Sequence, residues 1–176
     1  MFRYERPQKG RSRQFHQASA EFFGIKDPFA DAELLFLSNK IWEVLGISDQ
    51  VELEINSLGD HQTRSSYKQA LTNYFRDYQK DLDKDSLRQL DENPLRILDS
   101  KNPEIRTLLE DAPKITQFLD PESVDHHSIL LELLNSNGLT YRENPQLVRG
   151  LDYYNKTVFE WKSSSLGAQD TICGGG

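Results

Sequence analysis

Cysteine is almost absent from this sequence, which has 176 residues and a single cysteine, Cys173. One cysteine cannot form a disulfide within the chain, and a fold without disulfides is typical of a reducing compartment. We therefore expect a cytoplasmic protein. No apolar run approaches the roughly 20 residues that span a bilayer, and no secretory signal opens the chain. Neither observation suggests a membrane partner.

Two common nucleotide-binding motifs are also missing. Neither the P-loop pattern nor the glycine fingerprint of dinucleotide-binding folds occurs in the sequence, so any nucleotide must be held in another way. The four histidines show no metal-ligand spacing joined to the cysteine, and we expect no metal site built by the chain itself. His126 and His127 are expected to face solvent.

Charge is distributed unevenly along the chain. The formal net charge is −7, yet residues 1–24 carry five arginines and lysines against two glutamates, so the remainder is strongly acidic. A basic segment on an acidic body favours a local anion site over a surface that coats nucleic acid. A solvated basic loop is the simpler interpretation, and composition alone does not exclude it.

Hydrophobic periodicity divides the chain into three parts. Residues 1–59 predict a hairpin, a helix and a strand, and form the first part of a core. Residues 60–121 are richly charged, helical in pattern and interrupted by prolines, which predicts an inserted helical subdomain. Residues 122–176 return to strand patterns after one helix and form the second part of the core. This order predicts an α+β fold with a mainly antiparallel sheet and flanking helices.

Within these parts, helices are predicted over residues 31–45, with Asp31 as the cap, and over residues 122–137. Alternating apolar residues predict a strand over residues 51–56 with one buried face. Further strands are predicted at residues 139–142, 147–149, 157–162 and 170–173.

The basic segment predicts an antiparallel hairpin, with strands over residues 1–5 and 12–23. Alternate residues of a strand share a face, and one face of the second strand carries polar and aromatic groups in order: Arg11, Arg13, Phe15, Gln17 and Glu21. Guanidiniums suit phosphates, a ring suits a planar base, and an amide with a carboxylate suits an ammonium group. From this pattern alone, ligand binding and a solvated hairpin are about equally supported.

The full run MFRYERPQKGRSRQFHQ resembles motif 2 of the class II aminoacyl-tRNA synthetases, in the form found in histidyl-tRNA synthetases. The resemblance implies that Arg3 binds the α-phosphate of ATP and that Glu5 contacts the adenine amino group. It further implies that Arg11 reaches the terminal phosphates and that Phe15 stacks on adenine. These four residues are therefore the expected ATP-binding residues, and Mg²⁺ is expected to accompany ATP.

A second run, LVRGLDYYN at residues 147–155, resembles the histidine-specific element of histidyl-tRNA synthetases, and TVFE follows it as in that family. The resemblance implies that Arg149 lies beside the α-phosphate as a catalytic residue, together with Arg3, and stabilises charge there. It also implies that Tyr153 and Tyr154 form the histidine pocket. By the same resemblance, Gln17 and Glu21 in the first run hold the α-ammonium group of histidine.

Together, these resemblances imply a ligase that activates L-histidine with ATP to histidyl-adenylate and transfers it to the 3′ end of tRNA(His). The family is homodimeric. The run NPLRILDSK at residues 93–101 also resembles a family segment, in the helical insertion that approaches the tRNA acceptor stem. The alternative is a synthetase-like paralogue without aminoacylation, such as a regulatory subunit of histidine biosynthesis. Such relatives tend to degrade the run at residues 149–154, which is intact here.

Family elements that flank these two runs are not found in the sequence. Motif 1, motif 3 and the anticodon-binding domain are all missing, and the sequence stops inside a glycine-rich turn. We therefore expect an internal piece of a catalytic domain, with little or no activity by itself.

Overall fold

The computed structural model describes residues 1–4, 6–7, 9, 11–149, 153–166 and 170–176. Within these ranges the α-helices are α1 (Pro28–Leu45), α2 (His61–Asp77), α3 (Lys84–Glu92), α4 (Pro103–Glu110) and α5 (Pro121–Ser136). The strands are β1 (Glu52–Ser57), β2 (Arg142–Glu143), β3 (Thr157–Lys162) and β4 (Thr171–Gly175). Short 3-10 turns lie at Ser48–Gln50, Pro94–Asp99, Ile115–Gln117 and Ser164–Leu166.

Aspartate caps fix where most of these helices begin. The Asp27 carboxylate accepts a hydrogen bond from the Phe29 amide at 2.9 Å, and Pro28 occupies the first helical position of α1. The prediction that Asp31 caps this helix was wrong, because a proline directly after an aspartate is preorganised to start the helix earlier. Asp60, Asp83 and Asp120 cap α2, α3 and α5 in the same way. Among the described helices, none has the length and apolar character that a membrane crossing requires.

The four strands form one sheet in the order β2-β1-β3-β4. β1 pairs with β2 in parallel, whereas β1 with β3 and β3 with β4 are antiparallel. The prediction of an α+β fold with a mainly antiparallel sheet is therefore confirmed. The strand predicted at 147–149 is absent, because the Leu147 amide instead donates to Asn144 O and closes a turn. In place of the strand predicted at 139–142, the structure has the two-residue parallel strand β2, Arg142–Glu143, which shares only residue 142 with the prediction.

One face of the sheet is apolar and is covered by α1 and α5. The residues buried in this core include Ala32, Leu35, Leu53, Ile55, Leu130, Leu134, Phe159 and Trp161. The Trp161 indole donates to the Ser38 hydroxyl at 2.9 Å, which satisfies the one polar atom that this tryptophan buries. Pleat alternation places every second side chain of β1 and β3 in this core, so the opposite face carries the remaining residues.

The helical segment from α2 to the Ile115–Gln117 turn has a second core of its own. Its fully buried members include Tyr67, Leu71, Phe75, Ile97, Ile105 and Ile115. This cluster continues to Leu58, Leu147 and Val158, so the segment packs on the sheet rather than standing away from it. The division of the chain at residues 59/60 and 121/122 stays a prediction.

His126 on α5 is buried and His127 is half-buried, contrary to the prediction that both face solvent. His126 is 7% exposed and its Nε2 lies 3.7 Å from Asp31 Oδ2, while His127 Nε2 lies 3.3 Å from Glu143 Oε2. Burial lowers the pKa of His126, and the neighbouring Asp31 charge opposes that shift only in part. The reason for the burial of His126 is the packing of α1 against α5, which places it beside Asp31.

Leu130→Ala is expected to lower the free energy of unfolding by about 2–5 kcal/mol, because Leu130 is fully buried between the sheet and α1. Ile129→Ala is the matched control, since Ile129 is the neighbouring residue on α5 and is 41% exposed. Urea unfolding followed by far-UV circular dichroism measures both. Equal losses for the two variants would contradict this account of the core.

Candidate active site

The face of the sheet opposite α1 and α5 is lined with charged side chains. The register pairs Glu54 with Arg142 on one side and with Glu160 on the other, and pairs Glu52 with Lys162. Paired residues of neighbouring strands share a face, so these charges all project from the same side. We call this surface the polar face, and it consists of Glu52, Glu54, Asn56, Arg142, Asn144, Glu160, Lys162 and Gly174.

Glu54 is the most buried charge on the polar face, with 2% of its side chain exposed. One of its oxygens pairs with the Arg142 guanidinium, and the other accepts from Asn144 Nδ2 at 2.6 Å and from Lys162 Nζ at 3.0 Å. Burial raises the pKa of Glu54, but the hydrogen bonds from Asn144 and Lys162 and the two cationic charges outweigh it, so the pKa is lowered. Glu54 therefore stays ionised in the folded protein.

Glu160 links this cluster to Arg149. Its Oε1 accepts from Arg149 Nη1 at 2.8 Å, and its Oε2 accepts from Thr171 Oγ1 at 2.9 Å. Lys162 Nζ lies 3.7 Å from the same Oε2. The side chains of Arg149 and Glu160 are 24% and 16% exposed, so solvent screens this ion pair less than it would screen a surface pair.

Arg149 lies against β4 because a glycine faces it. A Cβ added at Gly174 would lie 2.7 Å from Arg149 Nη1 and 3.2 Å from the Phe159 carbonyl oxygen, closer than side chains tolerate. Arg149 Nε is buried and has no hydrogen-bond partner in the described part of the chain. The guanidinium is thus held by one nitrogen and retains unused donor capacity, as expected of a cation prepared for a ligand.

A tyrosine pair stands next to Arg149. The Arg149 guanidinium carbon lies 5.7 Å from the Tyr154 ring centroid, and the Tyr153 and Tyr154 centroids are 4.6 Å apart. Arg64 on α2 fixes the backbone here, because its Nη1 donates to Tyr154 O at 2.8 Å and to Asn155 Oδ1 at 2.9 Å. The first helix of the helical segment therefore positions these tyrosines.

The basic segment forms a short hairpin that brings Arg3 and Phe15 together. Phe2 and Gln14 form an antiparallel bridge, and the Arg3 amide donates to Arg13 O at 2.8 Å. The Arg3 guanidinium carbon lies 4.4 Å from the Phe15 ring centroid, within cation–π range. A guanidinium, which suits a phosphate, and a ring, which suits a planar base, thus share one side of the hairpin. Glu5 lies outside the described residues.

The prediction of a second hairpin strand over residues 12–23 was wrong in its extent. The last pairing in this hairpin is the hydrogen bond that the Phe15 amide donates to Met1 O at 3.0 Å. Residues 16–27 have no regular secondary structure and are exposed. The face assignment from strand alternation therefore does not extend to Gln17 and Glu21.

Glu21 nevertheless reaches the tyrosine pair electrostatically. The hydrogen bond with Tyr154 is the main cause of the raised pKa of Tyr153, burial adds to it, and the Glu21 charge raises it while the Arg149 charge lowers it. The described contacts thus bring the predicted site residues into two groups: Arg3 with Phe15, and Arg149 with Tyr153 and Tyr154. Glu21 is related to the second group through the effect of its charge on the pKa of Tyr153. Arg11 is half-buried. Gln17 is exposed and, among the described contacts, belongs to neither group.

Sequence reasoning missed Glu54, Arg142, Lys162 and Arg64. The alternation of β1 was interpreted as one buried face and one solvated face, and polarity along a strand does not distinguish a solvated face from a buried ionic one. Glu160 was included in the family resemblance but was given no role. The signal available in the sequence was that neighbouring predicted strands carry residues of opposite charge.

The comparisons with known proteins agree with this arrangement. Residues 1–174 match the family described as the tRNA synthetase class II core domain (G, H, P, S and T). The chain belongs to this family of class II aminoacyl-tRNA synthetase core domains. Apo histidyl-tRNA synthetase from S. aureus is similar at 35% sequence identity, with a TM-score of 0.64 over 87% of this chain.

A second solved structure is similar in fold alone. The protein described as an ATP phosphoribosyltransferase regulatory subunit/histidyl-tRNA synthetase from Bacillus halodurans has 20% identity and a TM-score of 0.51. The chain spans 37% of the S. aureus protein and 43% of the Bacillus halodurans protein, and 87% of it is covered in both cases.

Glu54→Gln is expected to destabilise the protein by roughly 3 kcal/mol at neutral pH, because it leaves Arg142 and Lys162 facing a neutral amide. The folded-state pKa of Glu54 is lowered, so its contribution is present above the unfolded-state pKa and is lost as pH falls through the folded-state value. The stability gap between the two proteins should therefore close in acid. Urea unfolding at a series of pH values measures it.

Glu52→Gln is the control for this prediction. Glu52 lies on the same strand and also contacts Arg142, at 3.3 Å, but it is 59% exposed. We expect a change within about 0.5 kcal/mol at every pH. A gap for Glu54→Gln that does not vary with pH would show that ionisation of Glu54 is not what stabilises the face.

Proposed function

We propose that the protein containing this chain is a histidine–tRNA ligase. In the first step, a carboxylate oxygen of histidine bonds to the α-phosphorus of ATP, the bond to the β-phosphate oxygen breaks, and pyrophosphate leaves. In the second step, a hydroxyl of the terminal ribose of tRNA(His) attacks the activated carbonyl and AMP leaves. A homodimer in the cytoplasm is part of the same proposal.

One observation carries the proposal: the arrangement of Arg149, held by Glu160 at 2.8 Å beside Tyr154 and the Gly174 backbone. A fixed and partly buried cation stabilises charge that develops on a phosphoryl group, because it needs no reorganisation during the reaction. The similarity to the S. aureus histidyl-tRNA synthetase supports the assignment of the substrate.

The other roles follow the same geometry. Arg3 and Phe15 are proposed to hold the α-phosphate and the adenine ring, with Glu5 at the adenine amino group and Arg11 at the terminal phosphates. Mg²⁺ is proposed to accompany ATP, as in related phosphoryl-transfer chemistry.

Glu21 and Gln17 are proposed to hold the α-ammonium group of histidine, with Tyr153 and Tyr154 enclosing its side chain. The electrostatic influence of Glu21 on Tyr153 supports a carboxylate at the edge of that pocket. A pocket that hydrogen-bonds the imidazole discriminates against isosteres without its nitrogens, since the protein groups would then stay unpaired.

Histidine-dependent exchange of pyrophosphate into ATP, followed by charging of tRNA(His) transcripts, tests the proposal in the full-length protein. We expect exchange with histidine and none with other amino acids. Histidine binding without exchange or charging would instead favour a synthetase-like regulatory subunit and overturn the proposal.

Arg149→Ala is expected to lower the kcat of exchange by roughly 10²-fold or more while the KM for histidine changes a few-fold, because the cation acts mainly on developing charge. Arg106→Ala removes an exposed arginine on α4 and serves as the control. Pyrophosphate exchange at varied histidine concentration separates the two parameters. Unchanged exchange in Arg149→Ala would reject this role.

Phe15→Ala is expected to raise the KM for ATP about ten-fold or more, since stacking on an aromatic side chain contributes about 1–3 kcal/mol per base. The KM for histidine should not change. The control is Phe23→Ala, because Phe23 follows in the same segment and is 82% exposed. An equal effect of both substitutions, or an effect on histidine alone, would contradict the stacking role.

A further inference from the structure

Lys162 lies between two carboxylates of the polar face. Its Nζ is 3.0 Å from Glu54 Oε2 and 3.7 Å from Glu160 Oε2, and its side chain is 25% exposed. Burial lowers the pKa of Lys162, but the hydrogen bond to Glu54 and the charges of Glu54 and Glu160 outweigh it, so the pKa is raised. Lys162 is therefore protonated throughout the neutral range.

Glu160 divides its negative charge between two cations. Its Oε1 is bound to Arg149 and its Oε2 faces both Lys162 and the Thr171 hydroxyl. A carboxylate that is shared between two cations neutralises each of them less than a carboxylate paired with one cation alone. Without Lys162, the full charge of Glu160 would act on Arg149.

The ion pairs form a continuous chain on the polar face. It runs from Arg142 through Glu54, Lys162 and Glu160 to Arg149. Arg142 and Glu52, which contact each other, are 56% and 59% exposed, so solvent screens both charges. The less exposed part of the chain holds the carboxylates of Glu54 and Glu160 and the cations of Lys162 and Arg149. Without Lys162, this part would set two carboxylates against Arg149 alone.

We propose that Lys162 is a positioning residue that keeps Arg149 oriented and net cationic toward the reacting phosphoryl group by sharing Glu160 with it. This inference rests on the proposed function, in which Arg149 stabilises charge on that group. Lys162 itself does not touch the substrate. Its removal is therefore expected to affect the chemical step and not the binding of either substrate.

Lys162→Met tests the inference in the full-length protein, with pyrophosphate exchange at varied ATP and histidine. We expect kcat to fall roughly ten-fold, less than the loss from removing a direct donor, with both KM values within about two-fold. Lys162→Arg should restore most of the rate because it restores the charge. Lys156→Met is the matched control, because Lys156 pairs with Glu122 at 2.5 Å and is 23% exposed, yet it lies outside the polar face.

The double variant Glu54→Gln with Lys162→Met guards against a simple folding defect. It removes both partners of the Glu54–Lys162 ion pair, and Arg142, which is 56% exposed, keeps its contact with Glu52 at 3.3 Å, so this variant should fold where the single variant does not. Its kcat should fall as in Lys162→Met, since Glu160 loses Lys162 in both. Circular dichroism of each variant records whether the fold is kept.

The outcomes separate the two proposals. If the unmodified protein shows exchange and Lys162→Met keeps its kcat, the role of Lys162 is overturned and the proposed function stands. An increase in a KM value with unchanged kcat also overturns it, since that result indicates substrate contact. If the unmodified protein shows no histidine-dependent exchange, the proposed function fails and this inference fails with it.

Discussion

The buried carboxylate of Glu54 is the interaction on which the polar face depends. An ion with 2% of its side chain exposed loses its hydration, and only surrounding donors offset that cost. Those donors come from β2, from β3 and from Asn144, so a single side chain ties three parts of the chain together. Glu54 thereby holds Arg142 and Lys162, and Lys162 in turn lies 3.7 Å from Glu160, the residue that binds Arg149.

The alternation of the strands separates an apolar core from a charged face. The apolar side of β1 and β3 packs against α1 and α5, and its residues supply a core that tolerates no charge. The opposite side carries charges that would be destabilising if any one lacked its partner. Because both sets of side chains belong to the same strands, the core fixes the backbone to which Glu160 and Lys162 are attached.

Features set by local patterns were predicted well, and features set by long-range pairing were not. β3 spans the residues predicted for it, and α1 and α5 were recovered with boundary shifts because their apolar residues recur at helical spacing. The ion pairs of Glu54 join residues far apart in sequence, and no periodicity encodes them. The hairpin shows the opposite error: the alternation of side chains continues to residue 23, but residues 16–27 have no regular secondary structure. The resemblance named Arg149 and the tyrosines, whereas the side chains that hold them in place became visible only in the fold.

The two ends of the helical segment meet at one point. The Thr63 hydroxyl near the start of α2 donates to the Asp120 carboxylate that caps α5, at 3.4 Å. A detour whose entry and exit are adjacent adds little closure entropy when it lengthens or shortens. Insertions, deletions or replacement of the helical segment can therefore be tolerated without a change in the strand register of the sheet. The residues that any such replacement must retain are those that contact the second part of the core. Arg64 is the main example, because its guanidinium donates a hydrogen bond to the Tyr154 carbonyl oxygen.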